Sequence, residues 1–172
     1  MSTSPTMKTS QMGINLIKHY EGLHDGNLKK IGLQPKMCPA GIWTVGYGYA
    51  LVNKNTGKWL KGNADYPLIE IQYPDYVNMT EVQAEKLLEY SLLKYENKVN
   101  KKLTVSVSQN MYDALVSHTY NTGGSDTLFC LVNEGKTLEA ARWIATKYTT
   151  ANGKVLLGLV KRRKSESELF VS

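Results

Sequence analysis

Three residues within the first 44 of the chain have the types and spacing for chemistry. Glu21 closes an apolar-periodic stretch and is followed by Gly22. Cys38 stands at the entrance to a glycine-rich ribbon, and Thr44 lies inside that ribbon after five intervening residues, Pro39 to Trp43. A carboxylate at a helix C-terminus meets the negative end of the helix dipole, which favours the protonated form a general acid needs. Taken alone, a glutamate in this position is more often an exposed helix end. Cys38 has three readings: a small packed hydrophobe, half of a disulfide, or a reactive group. A cysteine hydrolase would pair it with a histidine, for which His118 is the candidate, although nothing local joins the two. The stretch "TVGYGYA" has G-x-G but neither the full dinucleotide fingerprint nor the Lys-Ser/Thr of a phosphate loop. Glycines inside a strand instead mark tight bends or the close approach of a ligand or another backbone.

The elements that must hold these residues can be read from periodicity. Apolar positions 14, 17 and 20 predict a helix from Ser10 that carries Glu21 at its end, with Gly22 as the stop. Residues 42–52 are β-branched and aromatic and predict a strand and turn, "NKNTGKW" a turn, and "PLIEIQYPDYV" a further strand ended by Pro74. A β-rich region of about 28–78 results. Thr80 and Gln83 form a capping box ahead of apolar positions 84, 87, 88, 91, 92, 95 and 99, predicting a long helix over about 81–101. Ser108 caps another helix, with Met111, Tyr112, Leu115, Val116 and Tyr120 on one face and Gly123-Gly124 as the stop. Further helices are expected at about 125–133, 137–148 (capped by Thr137) and 158–170. The fold class is α+β: one domain over 1–172, with a flexible leader at 1–9 and a helical lobe over about 80–172.

The totals narrow the function. At 172 residues, 42% hydrophobic and 21% charged, the chain has the length and composition of one globular domain. No apolar run is long enough to span a bilayer. The polar start "MSTSPTMKTSQMG" lacks the basic and apolar blocks of a secretory signal, so synthesis in the cytoplasm is expected. Cys38 and Cys130 make no disulfide framework, and His19, His24 and His118 do not group with them at metal-site spacing. No metal and no cofactor is expected. A formal charge of +6 favours a polyanionic partner: nucleic acid, anionic lipid or an acidic wall polymer. The basic residues gather at Lys29-Lys30, Lys94 to Lys102 and Lys161 to Lys164, and each cluster alone reads as a solvated helix or loop face.

The order of these pieces resembles the phage-type lysozymes, the endolysins related to those of phages T4 and P22. Their signature is a helix-ending Glu-Gly, then Asp or Cys, five residues, and Thr within a glycine-rich strand; here it reads "YEGL" at 20–23 and "CPAGIWTVGYG" at 38–48. "MTEVQAEKLLEYSL", "SQNMYDALVSHTYNTG" and "GLVKRRKSESELF" resemble the family's later helices, in order, across nearly the whole chain. The resemblance implies a lysozyme-like fold and hydrolysis of the β-1,4 bond between N-acetylmuramic acid and N-acetylglucosamine in peptidoglycan. It implies Glu21 as general acid, Cys38 as the second catalytic group, Thr44 as holder of the attacking water, and Tyr120 and Asn121 as substrate contacts. It also implies a monomer with no nucleic-acid partner, no stable membrane insertion, and release to the wall through a holin pore or lysis. One departure stands out. Sixteen residues, Gly22 to Met37, separate Glu21 from Cys38, about twice the family's usual separation, and Asp25 within them is a rival carboxylate. A second stretch of extra length falls at 53–78.

Overall fold

A computed structural model of the chain describes residues 6–172; residues 1–5 of the expected leader lie outside the described residues. The rest of that leader is tied down. Thr9 donates through its N–H (3.0 Å) and hydroxyl (2.7 Å) to the Glu96 carboxylate, and the Met7 N–H donates to Asn100 Oδ1 at 3.2 Å.

The chain divides into two compact units: residues up to Tyr20 with Leu92–Ser172, and Glu21–Ser91. The first is helical. Helix α1 (Gln11–Glu21) buries Ile14 and Ile17, as its periodicity predicts, and begins where Ser10 donates to the Asp113 carboxylate. Helix α3 (Glu81–Lys102) runs through the boundary between the units in sequence. Its capping box forms in both directions: the Thr80 N–H donates to Gln83 Oε1 at 2.8 Å, and the Gln83 N–H to Thr80 Oγ1 at 3.1 Å. Helix α4 (Gln109–Thr122) is capped by Ser108 and ends at the left-handed Gly123, both as predicted. Helices α5 (Asp126–Asn133), α6 (Thr137–Thr146) and α7 (Leu157–Val171) complete the unit, with α7 packed on α4 and α6. Between α6 and α7 lies a two-stranded ribbon, β4 (Thr150–Ala151) and β5 (Lys154–Val155), which the sequence reading missed. Among the described residues, no helix is long and apolar enough to cross a membrane.

The unit Glu21–Ser91 holds a three-stranded antiparallel meander: β1 (Lys36–Met37), β2 (Trp43–Val45) and β3 (Tyr49–Ala50). Lys36 pairs with Thr44 and Met37 with Trp43; Thr44 then pairs with Ala50 and Val45 with Tyr49. The expected strand at 42–52 is therefore two short strands joined through Gly46-Tyr47-Gly48. The expected strand in "PLIEIQYPDYV" is instead helix α2 (Tyr66–Gln72) followed by a 3-10 turn, Pro74–Tyr76. The buried residues there are Ile69 and Tyr73, four apart, which is the spacing of one helix face. Pro67 also suits a helix's first turn better than a ladder. Leu51, Leu60, Ile69 and Met79 form the core of this unit.

Candidate active site

The groups that could do chemistry in the unit Glu21–Ser91 converge on the β2–β3 turn. Gly22, at a φ of 72°, ends α1 and leaves Glu21 half-buried at its C-terminus. Two residues on, the His24 N–H donates to the Gly46 carbonyl at 2.8 Å, which ties the chain leaving α1 to the turn. Gly48 sits in the same turn with a φ of 90°, a conformation open to glycine and strained for other residues. A methyl group built there would lie 3.8 Å from both Glu21 Oε2 and His24 Nε2. Carboxylate and imidazole therefore flank one spot, and Gly48 keeps that spot clear.

Thr44 joins this group from β2. It is buried, and its hydroxyl donates to the Lys36 carbonyl at 2.8 Å while lying 3.4 Å from His24 Nδ1. Because the hydroxyl proton is committed to Lys36, Thr44 can only accept at the imidazole. Nδ1 then carries the ring proton, and Nε2 presents a lone pair on the side of Glu21. His24 is held neutral: partial burial lowers its pKa below the usual histidine value, the Lys36 ammonium lowers it further, and Glu21 pulls the other way.

Cys38 closes the β1–β2 hairpin. Its N–H donates to the Ile42 carbonyl and its carbonyl accepts from the Gly41 N–H, both at 2.8 Å. By strand alternation Cys38 follows Lys36 onto the face that carries Thr44, while Met37 and Trp43 take the opposite face. The thiol is half-buried, and both Cys38 and Cys130 are free. Asp25, the rival carboxylate, is engaged locally: its Oδ1 accepts from the backbone N–H groups of Asn27 (3.0 Å) and Gln34 (3.2 Å).

Tyr120 and Asn121 lie on α4 in the other unit. Tyr120 packs edge-on against Tyr95 with ring centroids 5.0 Å apart, and Asn121 Oδ1 accepts from Arg163 at 2.9 Å. His118, the histidine a cysteine hydrolase would need, is fully buried there. Burial and the neighbouring Arg163 and Arg162 lower its pKa to about 3. Arg162 and Arg163 are both buried around Glu166, where the run Lys161 to Lys164 was expected to form a solvated face. The residue that sequence reasoning missed is His24. Its only signal was its position three residues after a helix-ending glutamate, and a lone histidine carries no motif.

This fold, with a helix-ending glutamate beside a glycine turn, is that of lysozymes. The muramidase domain of SpmX from Asticaccaulis excentricus superposes with a TM-score of 0.69 at 32% identity, covering 96% of this chain and 98% of that one. The endolysin from Escherichia coli O157:H7 phage FAHEc1 gives 0.71 at 29% identity, covering 98% and 96%. The chain belongs to the phage lysozyme family, whose model matches residues 20–166. It is 35% identical over 170 residues to the endolysin of Bacillus phage B103, covering 96% of this chain and 55% of that protein. It is 32% identical over 176 residues to the endolysin of Acyrthosiphon pisum secondary endosymbiont phage 1, covering 96% and 99%. The chain thus spans about half the length of the Bacillus phage relative and nearly all of the other.

Proposed function

We propose that the protein is a muramidase that hydrolyses the β-1,4 bond between N-acetylmuramic acid and N-acetylglucosamine of peptidoglycan. The observation that carries this reading is the convergence of Glu21, neutral His24 and Thr44 on the cleared spot beside Gly48. Glu21 gives its proton to the glycosidic oxygen as the bond to the anomeric carbon breaks. The Nε2 lone pair of His24 borders the same cleared spot and can accept a hydrogen bond there. Thr44, with one acceptor position left after His24, holds the attacking water. Water, oriented by Cys38 as the proposed second catalytic group, bonds to the anomeric carbon and releases a proton to solvent. Attack by water from the face opposite the acid inverts the anomeric centre, and such sites separate their two groups by about 6.5–9.5 Å. Tyr120 and Asn121 are proposed as sugar contacts. The protein acts as a monomer without nucleic acid or membrane insertion, and reaches the wall through a holin pore or by lysis.

Product analysis of digested peptidoglycan tests the reading. New reducing ends are expected, with loss of about tenfold or more in Cys38→Ser. New amino groups without reducing ends would instead identify a peptidoglycan amidase. Binding to walls with no cleavage at all would identify a wall-binding protein that keeps the fold without turnover.

A further inference from the structure

The sixteen residues between Glu21 and Cys38 are built as a fixed wall, and that wall has a use. Its neck closes where the Gly26 N–H donates to the Gln34 carbonyl at 3.0 Å and Asp25 Oδ1 accepts from Asn27 and Gln34. A Cβ at Gly26 would fall 2.0 Å from the Pro35 oxygen, so the neck tolerates only glycine. Leu33 and Met79 exchange backbone hydrogen bonds of 2.7 and 3.0 Å, and buried Gln34 reaches the Gly32 carbonyl and Asn78. Against this wall, on the hairpin face opposite Thr44, lies an open cavity of about 380 Å³. That volume is within the range of about 300–1,000 Å³ of small-ligand sites.

The lining has a definite chemistry. Trp43, Tyr66 and Met37 form an apolar floor, with Trp43 and Tyr66 edge-on at 5.2 Å and the indole fixed by its N–H donating to the Gly62 carbonyl at 2.8 Å. Lys30 contributes a cationic side chain and Asn27 an amide, Lys36 borders the cavity as part of strand β1, and no carboxylate lines it. In peptidoglycan the sugar chain itself is neutral, and the carboxylates are carried by the short peptides hung from the muramic acid lactyl groups. Trp43 immediately precedes Thr44, and the Lys36 carbonyl accepts the Thr44 hydroxyl. The cavity and the reaction face therefore share a hairpin.

We propose that this cavity binds the acidic stem peptide of peptidoglycan, so that the added loop reads the peptide while Glu21 acts on the sugar. This rests on the muramidase reading for the identity of the polymer. The test is an NMR titration of the full chain with the tripeptide L-alanyl-γ-D-glutamyl-diaminopimelate and with its carboxyl-amidated form. The acidic tripeptide is expected to shift the Trp43 indole resonance, and the amidated form and the Lys30→Glu variant to bind about tenfold more weakly. In parallel, reducing-end release is compared on intact peptidoglycan and on glycan stripped of peptide. Lys30→Glu should lose the wild type's preference for the peptide-bearing polymer and keep its rate on the stripped one. No shift at Trp43, equal binding by Lys30→Glu, or an equal shift from a neutral chitooligosaccharide overturns the proposal. If neither polymer yields reducing ends, the muramidase reading fails, and the tripeptide titration still decides the pocket.

Discussion

His118 and His24 are both kept neutral, and their surroundings give that neutrality different meanings. His118 lies in the core of the helical unit, edge-on to Trp143 (6.0 Å) and Tyr148 (5.6 Å), under the charges of Arg162 and Arg163. Its ring is a wall element of a buried charge cluster that includes Glu166, whose pKa burial pushes up to about 7 against the pull of both arginines. His24 is only half-buried, touches the Thr44 hydroxyl and borders Glu21. Complete burial turns charged groups into structure, while partial burial around a cleared spot leaves them available to a substrate. The contrast extends to the glutamates: Glu166 is fully enclosed, Glu21 half-exposed.

This contrast can be broken at either end. Glu21→Gln should lower reducing-end release by about 10²–10⁴-fold and leave the urea midpoint where it was; substantial residual activity would remove Glu21 from the reaction. Arg163→Ala should do the reverse. It leaves Glu166 buried with one fewer counter-charge and should cost about 3–5 kcal/mol in urea unfolding, and an undiminished midpoint would show that the cluster is not structural. His24→Gln should slow kcat by about tenfold and change the shape of the pH profile. In the wild type, protonating His24 removes the Nε2 lone pair that borders the cleared spot beside Gly48. Activity should therefore fall as pH drops through the His24 titration, which lies below the ordinary histidine value. The glutamine variant should lack that acidic limb, and a profile identical to wild type would reduce His24 to packing. The smallest effect is expected for Asp25→Ala. Losing the neck hydrogen bonds should cost about 1 kcal/mol of stability with little change in kcat on peptide-free glycan. A collapse of that rate would make Asp25, and not Cys38, the partner of Glu21.

Much of this was legible before any coordinates. The Thr80 capping box, the Ser108 cap and the Gly123 stop are local rules that survive folding, whereas Thr137, expected as a cap, is the first residue of α6, which has no side-chain cap. Two misreadings have physical causes. In "PLIEIQYPDYV" a period of two and a period of 3.6 both fit so short a run, and burial of Ile69 with Tyr73 decided for the helix. The run Lys161 to Lys164 was read as a solvated face because charges seldom go fully inside, yet mutual neutralisation around Glu166 takes Arg162 and Arg163 into the core. His24 was invisible for a different reason. Its partners, Thr44 and the Gly46 carbonyl, come from a strand and a turn some twenty residues away, and only the tertiary fold brings them together.

The pinned neck at Gly26 and Gln34 has a consequence for how such enzymes diversify. Beyond it, Leu28 and Ile31 stand 87% and 97% exposed at the loop tip. Residues 27–31 form an exchangeable tip between fixed ends, so their sequence can drift without tugging on α1 or the hairpin. Recognition of one bacterial wall or another can then evolve in the tip while the bond-breaking groups stay untouched. Swapping this segment between related lysozymes would be a direct route to altered host range.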